Sequence, residues 1–341
     1  MREFLYPFSF LYRAGLEIDR RITKTRKLPK PVISIGNITW GGTGKTPLVI
    51  KTARYLISLG LKPCILTRGY KKKENKIVLV SDGKNMLVPA EISGDEPYLI
   101  SESVPGAIVV SGSDRFNSAK MVLDKFSPDV FILDDGFQHW DLERDLDIVC
   151  INVLNPFGNG LLIPSGILRE PLSSLKRADI VVLNNCDLSK NTESIEKKLI
   201  SEAGIQPIRA EYNPVQLTRI KDKKISAISE LKDKPIVALS AIGENIGFKK
   251  TLEKLGLNVI QHFKFRDHHW FSKKDIKKVF ASVSDRSYIV TTAKDSIRLK
   301  KVFETLDNSV TERVYSLDIE LKFENGENIW EEKIKKTARF S

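Results

Sequence analysis

The chain holds only three cysteines, Cys64, Cys150 and Cys186, in 341 residues. They are widely spaced and form no Cys-x-x-Cys pair, which speaks against a disulfide framework or a structural zinc site. Cys64 and Cys150 lie inside apolar, strand-like runs and read as core residues. Uninterrupted apolar stretches of about 20 residues, the length of a membrane-spanning helix, are missing. The apolar run at residues 4–12 contains Pro7 and is not followed by a small-residue cleavage site, so it does not read as a signal peptide. No zinc finger or aromatic-rich ribonucleoprotein motif accompanies the basic charge, so nucleic acid is not an expected partner. The Asn-Lys-x-Asp motif with which GTPases read guanine is also lacking, and Asn185-Cys186-Asp187 only echoes it.

Negative charge is in short supply. Lys and Arg number 55 and Asp and Glu 43, a formal net charge of +12. Such an excess suits an anionic membrane surface or an anionic small substrate, and also serves solubility. The imbalance is strongest at the start. Residues 1–30 hold eight basic residues against Glu3, Glu17 and Asp19. In the same stretch Phe4, Phe8, Leu11, Gly15, Ile18 and Ile22 recur at helical spacing, and Leu5, Tyr12 and Leu16 widen the stripe. Aromatics on one face and cations on the other predict an amphipathic helix suited to a membrane interface, although the same pattern also serves a helix packed on its own domain.

Beyond residue 30 the pattern alternates between apolar runs and helical stretches. Strands are predicted at 31–36, 64–67, 76–80, 107–111, 129–133, 146–153 and 178–183, with helices at 44–59 and 114–126. A second alternation follows, with strands at 235–240, 257–263 and 288–292 and helices at 248–255 and 273–283. The predicted class is α/β: a mostly parallel sheet covered by helices on both faces, plus a smaller α/β second domain. Residues 208–220 and 313–323 look extended without a helix of their own nearby, and are expected to form a two-stranded connector. The domain expectation is an interface helix at 1–30, a P-loop domain at 31–212 with 314–341 packing back on it, and a second domain with its connector at 213–313.

The chemistry begins where the first strand runs into Gly41-Gly42-Thr43-Gly44-Lys45-Thr46 and a helix. Strand, glycine-rich turn and helix are the context of a phosphate-binding loop. Glycines let backbone N–H groups converge on phosphate oxygens, and the helix N-terminus adds a favourable dipole. Lys45 is expected on the β- and γ-phosphates of ATP and Thr46 on Mg²⁺. The strict motif wants glycine at position 39, where this chain has Thr39. Asp134 and Asp135 end the apolar strand at 129–133, where a carboxylate can hold Mg²⁺ beside the loop. Asp95 of Gly94-Asp95-Glu96-Pro97 opens a helical stretch, as an N-cap or as the base that a hydroxyl kinase needs. His268 and His269 are two of only four histidines. A paired histidine in a polar stretch can tune a carboxylate base or simply lie on the surface.

Together GNITWGGTGKTP (36–47), TRGY (67–70), GDEP (94–97), DDGFQH (134–139), LREP (168–171), FRDHH (265–269) and TTAKD (291–295) resemble the lipid A 4′-kinases, also called tetraacyldisaccharide 4′-kinases. The resemblance runs from the N-terminal helix to about residue 300. It implies ATP as donor, the 4′-hydroxyl of a tetraacyl glucosamine disaccharide 1-phosphate as acceptor, and lipid IV_A as product. It also implies work at the cytoplasmic face of the inner membrane of a Gram-negative bacterium, with the N-terminal helix on the membrane surface. By position, Lys45 and Thr46 match residues on triphosphate and metal, and Asp134 and Asp135 match metal-site acids with Gln138 close behind. Asp95 matches the general base and His268 the histidine paired with it. Arg169 and Glu170 match residues near nucleotide and metal, Thr43 a small hydroxylic position, and Arg68 and Arg115 contacts to an anionic sugar lipid. Lys71-Lys72-Lys73 depart from the glycines expected after TRGY. The rival readings are a P-loop synthetase acting on a small soluble acid, which has no need of the N-terminal stripe, and a nucleotide-switched regulatory protein.

Overall fold

The computed structural model describes residues 5–69, 76–284, 286–304, 306 and 311–339. Phe4 of the N-terminal stripe, Tyr70 and Lys71-Lys72-Lys73 lie outside them. The chain divides into two compact units, Met1–Glu211 with Leu321–Ser341, and Tyr212–Glu320.

The first unit is an eight-stranded sheet in the order β8-β7-β6-β1-β5-β2-β4-β3. Its strands are β1 (Val32–Gly36), β2 (Pro63–Thr67), β3 (Val78–Asp82), β4 (Ile108–Ser111), β5 (Val130–Asp134), β6 (Leu146–Asn152), β7 (Ile180–Asn184) and the start of β8 (Ile208–Arg219). All pairings are parallel except that of β3 with β4. The central strands β1, β2, β5, β6 and β7 are buried along their whole length, which is why they read as continuous apolar runs and not as alternating ones. Helices α1 (Tyr6–Ile22), α2 (Lys45–Ser58), α3 (Ala90–Ser93), α4 (Asp95–Ser103), α5 (Arg115–Phe126) and α6 (Thr192–Ala203) belong to this unit. A final helix, Glu327–Arg339, buries Trp330 against Tyr55 and Phe323, with ring centroids 4.9 and 5.3 Å apart.

The second unit orders its strands β11-β10-β12-β13-β8, with the short β9 (Ile225–Ser226) antiparallel on β8. Here β10 is Pro235–Ser240, β11 Asn258–Lys264, β12 Tyr288–Thr292 and β13 Val314–Phe323. The pairs β10–β11, β10–β12 and β12–β13 are parallel. Helices α7 (Asn245–Lys254), α8 (Lys273–Ala281) and α9 (Ala293–Phe303) complete it. Strands β8 and β13 each run across the division between the units.

Among the described α-helices longer than a single turn, two were not predicted. α6 ends four residues before β8, so the extended segment 208–220 does have a helix beside it. Its apolar content is thin: only Ile195 and Leu199 are buried apolar residues, one turn apart among charges. α9 hides its signal differently, because Asp295, Ser296 and Arg298 are on its buried side.

The N-terminal helix α1 buries only Ser9. Tyr6, Phe8, Phe10, Leu11, Ile18 and Ile22 are exposed, Leu11 and Ile22 by 69% and 75%. Contacts that tie the helix down include those of Ser9 Oγ, which donates to Leu162 O at 2.9 Å and accepts the Ser165 N–H at 3.4 Å, of Tyr12 OH, which donates to Arg169 O at 3.1 Å, and of Arg20, which lies over the Trp140 ring. Among the described residues, no helix is long and apolar enough to cross a membrane.

Candidate active site

Strands β1 and β5 end side by side, and their neighbours β6 and β7 end as a pair three residues further on. Ile35 pairs with Asp134, Gly36 with Val149, and Asn152 with Asn184. Carboxyl ends of parallel strands are where open α/β sheets gather ligands. Gly36 is required at the end of β1, since a Cβ there would fall 2.5 Å from Phe137 Cβ and 2.7 Å from its backbone nitrogen. That close approach sets the segment 134–139 directly beside the glycine-rich loop.

The loop itself is held by three asparagines. Asn37 Nδ2 donates to Thr39 O at 2.7 Å and to Thr43 Oγ1 at 2.9 Å. Asn152 Nδ2 donates to Gly42 O at 3.2 Å, and Asn184 Nδ2 to Thr43 O at 2.6 Å. Thr43 is therefore a buried brace of the loop. Gly41 and Gly44 carry the positive φ angles, +120° and +82°, so they supply the turn that glycine permits. Thr39 instead forms a bridge with Leu168, flanked by Trp40 N–H donating to Ile167 O and Arg169 N–H donating to Ile38 O, both at 2.7 Å. Its backbone is strand-like, so the glycine of the strict motif is not needed there. Lys45 and Thr46 open α2, with Gly44 in the N-cap position.

The two adjacent acids behave oppositely. Asp135 takes φ +57° at the end of β5 and faces two cations. Arg169 Nη1 and Nη2 donate to its two oxygens at 2.8 and 3.0 Å, and Lys45 Nζ lies 3.3 Å away. Burial alone would raise its pKa, but Lys45 and Arg169 outweigh that and hold it well below the usual carboxylate range. Asp134 has no ion-pair partner among the described residues. Its carboxyl is pushed up to about 7, first by burial and then by the Glu96 carboxylate, against Lys45. Glu170 is bound by Arg177 at 2.8 and 3.1 Å and by Gln138 Nε2 at 2.8 Å, and the same amide donates to Asn37 O. Arg177 lies over the Phe137 ring.

Asp95 is the first residue of α4 and not its N-cap, a place taken by Gly94. Its side chain is buried and accepts the Glu96 N–H at 3.0 Å. Arg68, Ser113, Arg115, Asp135, Gln138, His139 and Arg169 line a cleft of about 230 Å³. Arg115 is nearly fully buried there and donates to the carbonyls of Gly112 and Ser113. His268 belongs to the second unit, at φ +58° with its N–H on Ala241 O, while His269 pairs with Asp275 at 3.0 Å and stacks on Phe265.

A lysine, a threonine and strand-end carboxylates beside a glycine-rich loop are the groups that triphosphate sites use. A profile described as tetraacyldisaccharide-1-P 4′-kinase matches residues 1–339. The chain belongs to that family.

Proteins named tetraacyldisaccharide 4′-kinase are similar along most of its length. The one from Pelobacter propionicus is 37% identical over 303 residues, covering 86% of this chain and 82% of its own. That from Pelodictyon phaeoclathratiforme is 34% identical over 345 residues, covering 98% and 97%. A crystal structure of LpxK from Aquifex aeolicus, described as a complex with ATP, superposes with a TM-score of 0.76 at 33% identity, covering 98% of this chain and 99% of that one. The α/β class expected from the strand pattern is thus the fold of a solved family member.

The structure brings Gly41, Gly42, Thr43, Gly44, Lys45, Thr46, Asp134, Asp135, Gln138, Arg169 and Glu170 into the first unit at one end of its sheet. Of the four residues expected on metal, Thr46 lies in the first turn of α2 and Asp134 ends β5. Asp135 and Glu170 are engaged by arginines, and no cluster of three or more His, Cys, Asp or Glu side chains among the described residues is spaced for a metal. Sequence reading missed Asn37, Asn152, Asn184 and Arg177. A usable signal existed for two of them: Asn152 and Asn184 are polar residues ending apolar strands, the same position that singles out Asp134.

The opposed acids predict a pH signature. Asp134 keeps its proton in the folded chain up to about 7, whereas the unfolded chain releases it near its ordinary value of 3.8. The native state then binds more protons than the unfolded one, so stability falls as pH rises through that window. Asp135 works the other way, and its contribution is present above its ordinary value and lost as pH falls. Urea midpoints of the nucleotide- and metal-free protein should decline from pH 5 to pH 8, and Asp134→Asn should flatten that decline. An equal slope in the variant would refute the assignment.

Proposed function

We propose that this chain transfers the γ-phosphoryl group of ATP to the 4′-hydroxyl of a tetraacyl glucosamine disaccharide 1-phosphate, giving lipid IV_A. The observation that carries the reading is the placement of Lys45, in the first turn of α2, 3.3 Å from Asp135 at the carboxyl end of β5, where Asp134 also lies, in a chain matched over residues 1–339 by its family. Lys45 and the backbone N–H groups of the loop bind the triphosphate. Asp134 and Thr46 supply hard oxygen donors, and Asp134 is a buried carboxyl with no ion-pair partner among the described residues, which fits a divalent cation. Thr46 and Asp134 would hold Mg²⁺, which supplies neutralisation of the phosphoryl oxygens when bound. Asp95 takes the proton of the attacking hydroxyl, and His268 serves that base. Arg169 keeps Asp135 oriented through both oxygens, and Gln138 joins the loop backbone to Glu170. Arg68 and Arg115 receive an anionic part of the acceptor. Radiolabelled transfer from ATP to a tetraacyl disaccharide 1-phosphate in detergent tests the reading, and no labelled lipid over a range of Mg²⁺ concentrations would sink it.

The acceptor is a lipid, and α1 offers the means to reach it at the cytoplasmic face of the inner membrane. Its exposed Phe8, Leu11 and Ile18 lie on a helix that also carries Arg13, Arg20 and Arg21. Apolar residues with flanking cations are what an interfacial helix requires. Each buried apolar side chain of this size is worth ~1.5–3 kcal/mol, so Phe8→Glu with Leu11→Glu should reduce co-sedimentation with anionic vesicles by roughly tenfold or more. Transfer to a detergent-dispersed acceptor should change little. Unchanged vesicle binding would remove α1 as the anchor.

A further inference from the structure

The second unit contains a fully buried ion pair that the proposed reaction does not use. Asp295 and Arg298 sit one turn apart on α9, with side chains 0% exposed and Nη2 3.1 Å from Oδ1. Two ions withdrawn from water are costly unless their remaining donors and acceptors are met, and both ions bond the backbone of one residue, Ala241. Asp295 Oδ2 accepts the Ala241 N–H at 3.2 Å and the Thr292 hydroxyl at 2.7 Å. Arg298 Nη1 donates to Ala241 O at 3.0 Å and reaches His269 O at 3.4 Å. Ala241 O also accepts the backbone N–H of His268 at 3.2 Å.

The pair therefore grips the chain just after β10 by both its N–H and its C=O, and grips the 265–269 loop on the far side of His268. His268 itself holds φ +58°, a left-handed conformation that a non-glycine residue keeps only when its surroundings enforce it. We infer that Asp295 and Arg298 are positioning residues for His268: they fix Ala241 O, to which the His268 N–H donates, and the carbonyl of the next residue, His269, so that the imidazole of His268 is presented in one orientation. The requirement for Arg at 298 is geometric. A guanidinium has a planar fork that can reach Asp295 and two carbonyls at once, and an ammonium does not. The inference rests on the proposed role of His268 in transfer.

The test is a cycle of variants assayed in the full-length enzyme: His268→Ala, Arg298→Gln, Arg298→Lys, Asp295→Asn, and His268→Ala combined with Arg298→Gln. A displacement of about 1 Å at a catalytic group can cost about 10²-fold, so Arg298→Gln and Asp295→Asn should lower kcat by roughly 10- to 100-fold. The KM for ATP should stay within about twofold, since the triphosphate loop is in the other unit. Arg298→Lys keeps charge and bulk, and should fold even where Gln does not, yet still lose kcat. The deciding reading is coupling. With His268 already replaced, Arg298→Gln should cost nothing further in kcat, because the group it positions is gone. If the two losses multiply, or if Arg298→Lys and Asp295→Asn fold with normal kcat, the inference is wrong. If His268→Ala alone retains normal kcat, the role of His268 fails instead, whatever the Arg298 variants do.

Discussion

Asp95→Asn should lower kcat by about 10²- to 10⁴-fold, the usual contribution of a general base, while ATP affinity stays near normal. The asparagine carbonyl can still accept the Glu96 N–H that the carboxylate now holds at 3.0 Å, so the start of α4 keeps its geometry. What disappears is the capacity to take a proton from the acceptor hydroxyl. Asp95 is buried and opens a helix of nine residues, so a change of charge there could also disturb packing. Thermal unfolding separates the two effects. A variant that unfolds normally, binds ATP and fails to transfer identifies the base. A variant that loses ATP binding and transfer in proportion would show Asp95 to be structural, and normal turnover would end its candidacy.

Lys45→Ala should be comparably severe but differ in kind. Removing one donor from developing charge on a transferring group typically costs about 10²- to 10³-fold in kcat, and here ground-state ATP affinity should fall as well, because Lys45 contacts the triphosphate before reaction. Stability should hardly move. Asp135 keeps both hydrogen bonds from Arg169 after the lysine is gone, so it is not left buried and unpaired. Arg169→Ala should show the converse, a larger loss of stability, since it strips Asp135 of its bidentate partner and Asn37 of a 2.9 Å bond. Near-normal transfer by Lys45→Ala would overturn the phosphate-site assignment.

The core of the first unit was legible because its strands are buried on both faces. Runs such as 129–133 and 146–153 carry no alternation to misread, and the observed strands, Val130–Asp134 and Leu146–Asn152, differ by a residue at the ends. The glycine-rich loop was legible for a similar reason, since its turn chemistry is local. The helices α6 and α9 were not. One buries too few apolar residues to show a period, and the other buries charged residues that a hydrophobicity pattern assigns to solvent. Side-chain partnerships were the least accessible. Asp134 and Asp135 look equivalent in sequence, yet a left-handed φ at Asp135 turns it toward Arg169 and Lys45 while Asp134 stays in the strand. That divergence depends on Arg169, 34 residues away. The three asparagines bracing the loop come from 37, 152 and 184, a convergence that only the strand order creates.

All three cysteines of the chain are buried, Cys64 and Cys150 completely, and burial pushes the Cys150 and Cys186 thiols up to about 12 and Cys64 higher still. Thiolate is the reactive form, so the wild-type chain offers electrophilic probes almost no background. A single engineered cysteine on the exposed side of α1, for example Phe10→Cys, would carry a fluorophore or spin label to one known position. A second at an exposed site such as Ile246 would add a distance ruler between the two units, without any native cysteine having to be removed first.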